Sequence, residues 1–406
     1  MSLSIFDAAR DAPREPALIT PERSFTFGEL ADLAARVETP STLLGHLDVN
    51  TIVQLHACIA KRRPVVLVHP RWTARERLAA RGRAPEDALA VVFTSGSSGA
   101  PRGVVLPRRA FEASARASAE NLGWQDDDRW LLELSPAHVG GLSILTRCLM
   151  DRKAVVLGSD LERSRATLVS WVPTQLARWL DAHPEQRAPQ HLRAVVLGGA
   201  AASPALRRRA RARGFRVLGS YGLTEACSQV STEREPGDSS GAPLPGISVR
   251  LEDGCIQIAG PTLLSRYWDG ECPLSEDGWL TTRDVGRFDT EGRLHVLGRV
   301  DDVIVTGGEN VHPLEVEAVL ESDPRVREAC VFGIDDATWG QRVAAALVLT
   351  EAADANGVVA AADLADFKRP RELFVVSNLA RTASGKLDRR AQRKSCTAQT
   401  SPPAVT

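Results

Sequence analysis

Short, almost wholly apolar runs alternate with amphipathic stretches through the middle of the chain. Leu89 to Phe93, Ala154 to Leu157 and Ala194 to Leu197 contain no polar residue, while Trp130 to Leu134 and Leu168 to Val172 each contain one. Runs of four or five such residues, bounded by glycine and polar clusters, predict strands buried on both faces. Between them the apolar positions recur at helical spacing, which predicts helices over 108–120, 174–182 and 204–213. The alternation from about 88 to 222 therefore predicts an α/β fold with a largely parallel sheet and a ligand at its crossover loops.

The texture changes at about 241. Glycine-punctuated short strands at Ser248 to Leu251, Cys255 to Ile258 and Arg293 to Leu297 predict a smaller, mostly antiparallel β unit. Beyond Gly298-Arg299-Val300-Asp301-Asp302 a new pattern starts, with strands at 303–306, 328–332 and 343–349 and a helix at 313–321. A domain boundary is placed at Asp301, giving domains 1–300 and 301–390. Residues 391–406 are polar and Pro-containing, and read as a disordered tail. There is no internal repeat.

Composition narrows the partners. The 406 residues carry a formal net charge of -1, which gives no global attraction to nucleic acid or to an anionic membrane. The basic run Arg207 to Arg213 reads as the solvated face of a helix. Seven scattered cysteines without a Cys-x-x-Cys spacing predict reduced thiols, and His56, His69 and His138 lack the close partners of a zinc site. No apolar run approaches the ~18 residues of a membrane span, so a cytoplasmic protein with a small-molecule partner is expected.

Chemistry enters directly after the run Leu89 to Phe93, as Thr94-Ser95-Gly96-Ser97-Ser98-Gly99-Ala100-Pro101-Arg102-Gly103. Glycines let backbone N–H groups turn inward, and the hydroxyls add donors, so the loop reads as a phosphate cradle rather than a Ser/Gly linker. It is neither a P-loop nor a Gly-x-Gly-x-x-Gly turn. Four more segments follow. Gly219-Ser220-Tyr221-Gly222-Leu223-Thr224-Glu225 offers a ring for a purine, a hydroxyl for a phosphate and a carboxylate for Mg²⁺, or is an ordinary strand-to-helix turn. Thr281-Thr282-Arg283-Asp284-Val285-Gly286 offers Asp284 to ribose hydroxyls at the end of a strand, or is a turn. Arg299 stands where it bridges ribose and phosphate, and Gly307-Gly308 allow close backbone approach. Ser384-Gly385-Lys386 is either a deliverable lysine or a surface basic cluster.

In this order the segments resemble the adenylate-forming superfamily of acyl- and aryl-CoA ligases, luciferases and nonribosomal adenylation domains. The resemblance runs from Phe25-Thr26-Phe27-Gly28-Glu29-Leu30 to Lys386. It implies a large N-terminal domain of layered, parallel-rich sheets plus a small β unit, and a smaller mobile α+β C-terminal domain. It implies ATP, Mg²⁺ and coenzyme A as cofactor and co-substrates, and a small carboxylate as the acid; homodimer formation stays open. By position, Thr94, Ser95, Gly96, Ser97, Ser98 and Gly99 would wrap the β- and γ-phosphates, with Arg102 replacing the family's lysine. Gly198, Gly199 and Ala200 would present backbone to the acyl group and adenine, Ser220, Tyr221 and Gly222 would border adenine, and Thr224 would reach a phosphate. Glu225 would hold Mg²⁺, Asp284 and Arg299 the ribose, and Asp301 would be the hinge. Lys386 would be the adenylation lysine, with Gly307 and Gly308 serving the thiol step.

The stretch between Leu33 and the phosphate loop is short for this family, and so is that between Thr350 and Phe367. For the acid, Ser135-Pro136-Ala137-His138-Val139-Gly140-Gly141 and Val172-Pro173-Thr174-Gln175-Leu176 resemble the o-succinylbenzoate-CoA ligases of menaquinone synthesis. His138 would line and gate the acyl pocket, or is a packed core histidine, and Gly140 and Gly141 would leave room for a planar ring. No residue for a second substrate carboxylate is identified. A benzoate as acid, a carrier-protein phosphopantetheine as acceptor, and a non-catalytic nucleotide-binding protein are the competing readings; Lys386, Glu225 and Asp284 together argue against the last.

Overall fold

The computed structural model describes residues 2–95, 101–350, 353–382 and 386–400. The apolar runs become strands as expected. Arg129–Leu132, Ala154–Leu157, Leu168–Trp171 and Ala194–Leu197 are the centre of an eight-stranded sheet. Its order is Ser228–Thr232, Val217–Leu223, Ala194–Leu197, Leu168–Trp171, Arg129–Leu132, Ala154–Leu157, Pro16–Ile19 and Ser24–Thr26. All neighbours are parallel except the pair at each end. Crossover helices Arg108–Leu122, Val139–Asp151, Pro173–Ala182 and Pro204–Ala212 cover it, since parallel strands need a covered return path. The last two begin with proline, whose missing N–H costs nothing in a first turn.

A second sheet of five strands runs Arg266–Tyr267, Pro101–Pro107, Ala88–Ser95, Val65–Val68 and Thr42–Leu44. One buried cluster joins the two sheets and the helices between them, with Phe27, Leu55, Val92, Phe111, Trp130 and Leu142 among its members. The small β unit is a four-stranded antiparallel meander, Ser248–Glu252, Cys255–Ala259, Leu280–Phe288 and Leu294–Arg299. For the third of these the sequence left a strand end and a turn both open at Asp284. Thr281 to Gly286 resembles a turn in composition, yet pairing on both edges holds it extended and puts Asp284 inside a nine-residue strand, opposite Arg299.

The chain leaves the meander at Arg299, makes one 3₁₀ turn over Val300–Asp302, and enters the C-terminal sheet at Ile304. There the strand order is Glu309–Val311, Ile304–Thr306, Gly340–Leu349 and Val326–Asp336, with Glu372–Val375 parallel to Gly340–Leu349. Gly307 and Gly308, at φ 58° and 86°, form a two-residue hairpin turn that asks for positive φ at both positions. Helix Pro313–Leu320 packs on this sheet, and the segment after Thr350 holds one short helix, Ala355–Ala361.

The expectation of a disordered tail from 391 is overturned for its first ten residues. Arg389–Thr400 is a helix, with Cys396 1 % exposed among Cys330, Phe332, Phe374 and Leu379 on the other face of the C-terminal sheet. Polar composition misled because, among the described side chains of this helix, only Gln392 and Cys396 are fully buried; Gln392 Oε1 accepts from Ala380 N at 2.7 Å. Residues 401–406 lie outside the described residues. Cys396→Asp, which places a charge in that cluster, should lower stability in a urea melt by about 2–3 kcal/mol. An unchanged midpoint and slope would return this segment to disorder.

Candidate active site

The phosphate-loop residues Thr94 and Arg102 sit opposite each other in the hairpin formed by Ala88–Ser95 and Pro101–Pro107, and Thr94 Oγ1 donates to Arg102 O at 3.4 Å. Buried Val91, Val92, Val104 and Val105 hold the register. Gly96, Ser97, Ser98 and Gly99 lie outside the described residues. Arg102, on the second of these strands, pairs with Asp269 at 3.2 Å and with Glu271.

At the carboxyl ends of the parallel strands, two loops stand side by side. Gly198 N donates to Trp171 O at 3.1 Å, and a Cβ on Gly198 would lie 3.2 Å from Ser220 O. Gly199 has φ 77°, and Ala200 is exposed. Ser220 spends its hydroxyl on the neighbouring strand, donating to Ser231 O at 3.1 Å and lying 2.9 Å from Thr232 Oγ1. Gly222 has no substitute, because a Cβ there would fall 1.8 Å from Ser228 O. Gly219 N is held at 2.7 Å by the buried carboxylate of Glu233, which is itself paired with Arg207 at 3.4 Å.

The strand Val217–Leu223 ends in a single 3₁₀ turn, Thr224–Ala226, after which Cys227 and Ser228 take φ of 52° and 89°. Two consecutive non-glycine residues there are strained, and the antiparallel return of Ser228–Thr232 keeps them so, helped by Ser114 Oγ donating to Cys227 O at 2.9 Å. The turn aims Glu225 into the cleft. Burial raises the Glu225 pKa, and Tyr267 Oη donates to its Oε1 at 3.3 Å.

Asp284 is the centre of the site. Tyr221 Oη donates to Asp284 Oδ2 at 2.8 Å, Arg299 Nη1 approaches Oδ1 at 3.4 Å, and Asp284 N donates to Thr282 Oγ1 at 3.1 Å. Burial, then the Asp284 charge, push the Tyr221 phenol well up. Next to it Arg283 donates to Asp301, the expected hinge residue. From the C-terminal domain Lys386 reaches the same place. Lys386 is an exposed residue, and its pKa is lowered first by desolvation and then by Arg299, while Asp284 and Glu225 act the other way.

His138 sits at the N-terminal end of helix Val139–Asp151, 4.9 Å from the His69 ring. Burial, followed by the charges of His69, Lys386 and Arg71, holds it down to about 4. Gly141 is needed by the fold itself: a Cβ there would lie 2.4 Å from both Leu134 O and Ser135 O, so that glycine lets the helix start against the preceding turn, while a Cβ on Gly140 would meet only Leu134 Cδ1 at 3.3 Å. Gly307 packs on Trp339, a Cβ there falling 2.8 Å from the ring, while Gly308 faces open space. Thr224, Glu225, Tyr221, Asp284, Arg299, Lys386 and His138 are brought together; Gly307 and Gly308 stand on the C-terminal domain's own hairpin.

The family model "AMP-binding enzyme" matches residues 41–268, and "AMP-binding enzyme C-terminal domain" matches 315–386. This chain belongs to the AMP-binding enzymes. It is 37% identical over 333 residues to a 2-succinylbenzoate–CoA ligase of Bacillus licheniformis, covering 75% of this chain and 69% of the relative. It is 32% identical over 460 residues to that of Bacillus pumilus, covering 93% and 94%. That alignment is longer than the 406-residue chain, so the relative carries internal segments this AMP-binding enzyme lacks. Its fold is similar to o-succinylbenzoate CoA synthetase from Bacillus subtilis with the acyl-adenylate intermediate OSB-AMP, at TM-score 0.85 and 31% identity over 97% of this chain and 98% of that one. The same protein with ATP and magnesium ion gives 0.83 and 31% over 96% and 98%.

Two residues of this AMP-binding enzyme's cleft were not expected from sequence: Tyr267 and His69. The first lies in a two-residue strand, too short for any periodic signal, and the second needed its tertiary neighbour His138 to acquire meaning. Below pH 6.5 an unfolded imidazole takes the proton that His138 refuses until about 4, so stability falls as pH drops through that window. His138→Gln should flatten the fall in denaturant midpoint between about pH 7 and pH 4.5; a slope equal to wild type would mean His138 is protonated in the fold.

Proposed function

We propose that this AMP-forming acid–thiol ligase joins 2-succinylbenzoate to coenzyme A through an acyl-adenylate, a step of menaquinone biosynthesis. The observation that carries the reading is the convergence of Asp284, Arg299, Glu225 and Lys386, from two domains, on one cleft. Tyr221 and the Gly198-Gly199-Ala200 loop border adenine, while Asp284 and Arg299 hold the ribose. Thr94, Thr224 and the segment between Thr94 and Arg102 take the phosphates. Glu225 fits Mg²⁺, since a single buried carboxylate suits an ion that draws its other ligands from phosphate and water. When bound, the metal supplies positive charge to the phosphate oxygens.

In the first step a carboxylate oxygen bonds to the α-phosphorus as the bond to the bridging oxygen breaks, and pyrophosphate leaves. Lys386 lies where its ammonium offsets charge on the carboxylate and the phosphoryl oxygens. In the second, the thiol sulfur bonds to the acyl carbon, AMP leaves with the anhydride oxygen, and the thiol proton goes to solvent. The C-terminal domain turns about Asp301 between the steps, bringing the Gly307-Gly308 hairpin to the cleft in place of Lys386. Water-soluble substrates and seven unpaired cysteines fit the cytoplasm, and among the described residues no helix is long and apolar enough to cross a membrane.

The acid is favoured by one further residue. Arg147, 2 % exposed on helix Val139–Asp151, forms no ion pair among the described residues; its Nη2 lies 3.4 Å from Ser114 Oγ, its Nε has no partner, and burial holds it down to about 10. A buried cation of this kind fits the second carboxylate of a succinyl side chain.

Lys386→Ala should cut acyl-AMP formation by at least ~100-fold while leaving thioester formation from supplied acyl-AMP within a few-fold of wild type. Loss of both half-reactions in a folded variant would sink the assignment. Arg147→Met, which fills the space without the charge, should raise KM for 2-succinylbenzoate by about tenfold and spare KM for benzoate. An unchanged ratio of the two would remove Arg147 from substrate recognition.

A further inference from the structure

Tyr267 belongs to none of the motifs that point to nucleotide chemistry, yet its position is tightly determined. The edge strand Arg266–Tyr267 pairs antiparallel with the phosphate hairpin, Tyr267 opposite Val104. Backbone bonds fix it on both sides: Ser265 N to Val105 O at 3.0 Å, Trp268 N to Gly103 O at 2.8 Å, and Leu264 N to Glu225 O at 2.8 Å. Gly103 lets the strands close, since a Cβ there would stand 2.8 Å from Trp268 Cβ. From this position Tyr267 Oη reaches Glu225 Oε1 at 3.3 Å, and the Arg102 guanidinium lies over the ring, 3.5 Å from its centroid. The other contacts of Arg102 are Asp269 and Glu271, both exposed acids on the turn after Tyr267.

Resting on the ligase reading above, we propose that Tyr267 is a positioning residue that holds one oxygen of Glu225 and leaves the other for the metal of the ATP complex, and that Arg102 clamps Tyr267 instead of binding the phosphates. Glu225 stands on a single 3₁₀ turn followed by two left-handed residues, so its own backbone gives the carboxylate no lateral support. The phenol is the donor that supplies it. A planar guanidinium can stack on the ring and meet two acids at once, which a lysine ammonium cannot do in the same geometry. With its charge already matched by Asp269 and Glu271, Arg102 has little left for a phosphate.

The test uses the full chain with Mn²⁺ as the metal, read by electron paramagnetic resonance at saturating ATP, and with ATP alone in EDTA, read by calorimetry. Tyr267→Phe removes only the hydroxyl. It should raise the Mn²⁺ dissociation constant by about tenfold, leave ATP affinity in EDTA unchanged and keep the thermal midpoint close to wild type. Glu225→Gln combined with Tyr267→Phe should bind Mn²⁺ no more weakly than Glu225→Gln alone, because the two act through one carboxylate. Arg102→Met should weaken Mn²⁺ in the same direction and spare ATP in EDTA. Wild-type Mn²⁺ affinity in Tyr267→Phe, or additive losses in the double variant, would overturn the positioning role. Weaker ATP binding in EDTA by Arg102→Met would overturn the clamp and make Arg102 a phosphate ligand. A wild-type protein that binds neither ATP nor ATP with Mn²⁺ would instead overturn the ligase reading itself.

Discussion

The carboxylate of Asp284 is the point on which the architecture turns. It accepts from the phenol of Tyr221, on the eight-stranded mixed sheet, and from Arg299, on the neighbouring strand of the antiparallel meander. One acid thereby ties two sheets together at the place where the chain departs for its C-terminal domain. Because Arg283, the preceding residue, holds Asp301, the same strand also meets the start of that domain. A shift of Asp284 would be felt at the adenine loop, at the hinge and at Lys386 together.

Around this junction the protein disfavours charge. Burial raises Glu225 and lowers Lys386 and His138, each toward its neutral form. A site built this way holds groups whose charges are fully compensated only when an anionic nucleotide and its metal arrive. The shifts are a property of the closed cleft, for Lys386 comes from a different domain than the acids and arginine that act on it.

Close backbone approach is the second constraint. Gly222 and Gly141 are required because carbonyl oxygens occupy the space of their missing Cβ atoms, and Gly307-Gly308 because a two-residue turn needs positive φ. The strained pair Cys227-Ser228 shows the same economy without glycine: a return strand and a hydrogen bond from Ser114 force the turn that presents Glu225.

Much of this was legible in the residues. Four- and five-residue apolar runs gave strands within a residue or two of their observed ends, since a strand buried on both faces has no other composition open to it. The order of glycine-rich, Tyr-x-x-Thr-Glu, Arg-Asp and Gly-Lys segments identified the chemistry, because each residue type is dictated by the group it handles. The strand through Asp284 was only half legible and the helix Arg389–Thr400 not at all: their polar residues match turns and tails in composition, and only pairing and packing against distant strands hold them. The sequence by itself determined which functional groups exist and what fold carries them. The tertiary structure alone decided that Tyr267 stands against Glu225, that the Arg102 guanidinium lies over the Tyr267 ring, and that Arg147 is buried with no acid paired to it among the described residues. Those facts depend on contacts between residues more than thirty positions apart, which no local pattern records.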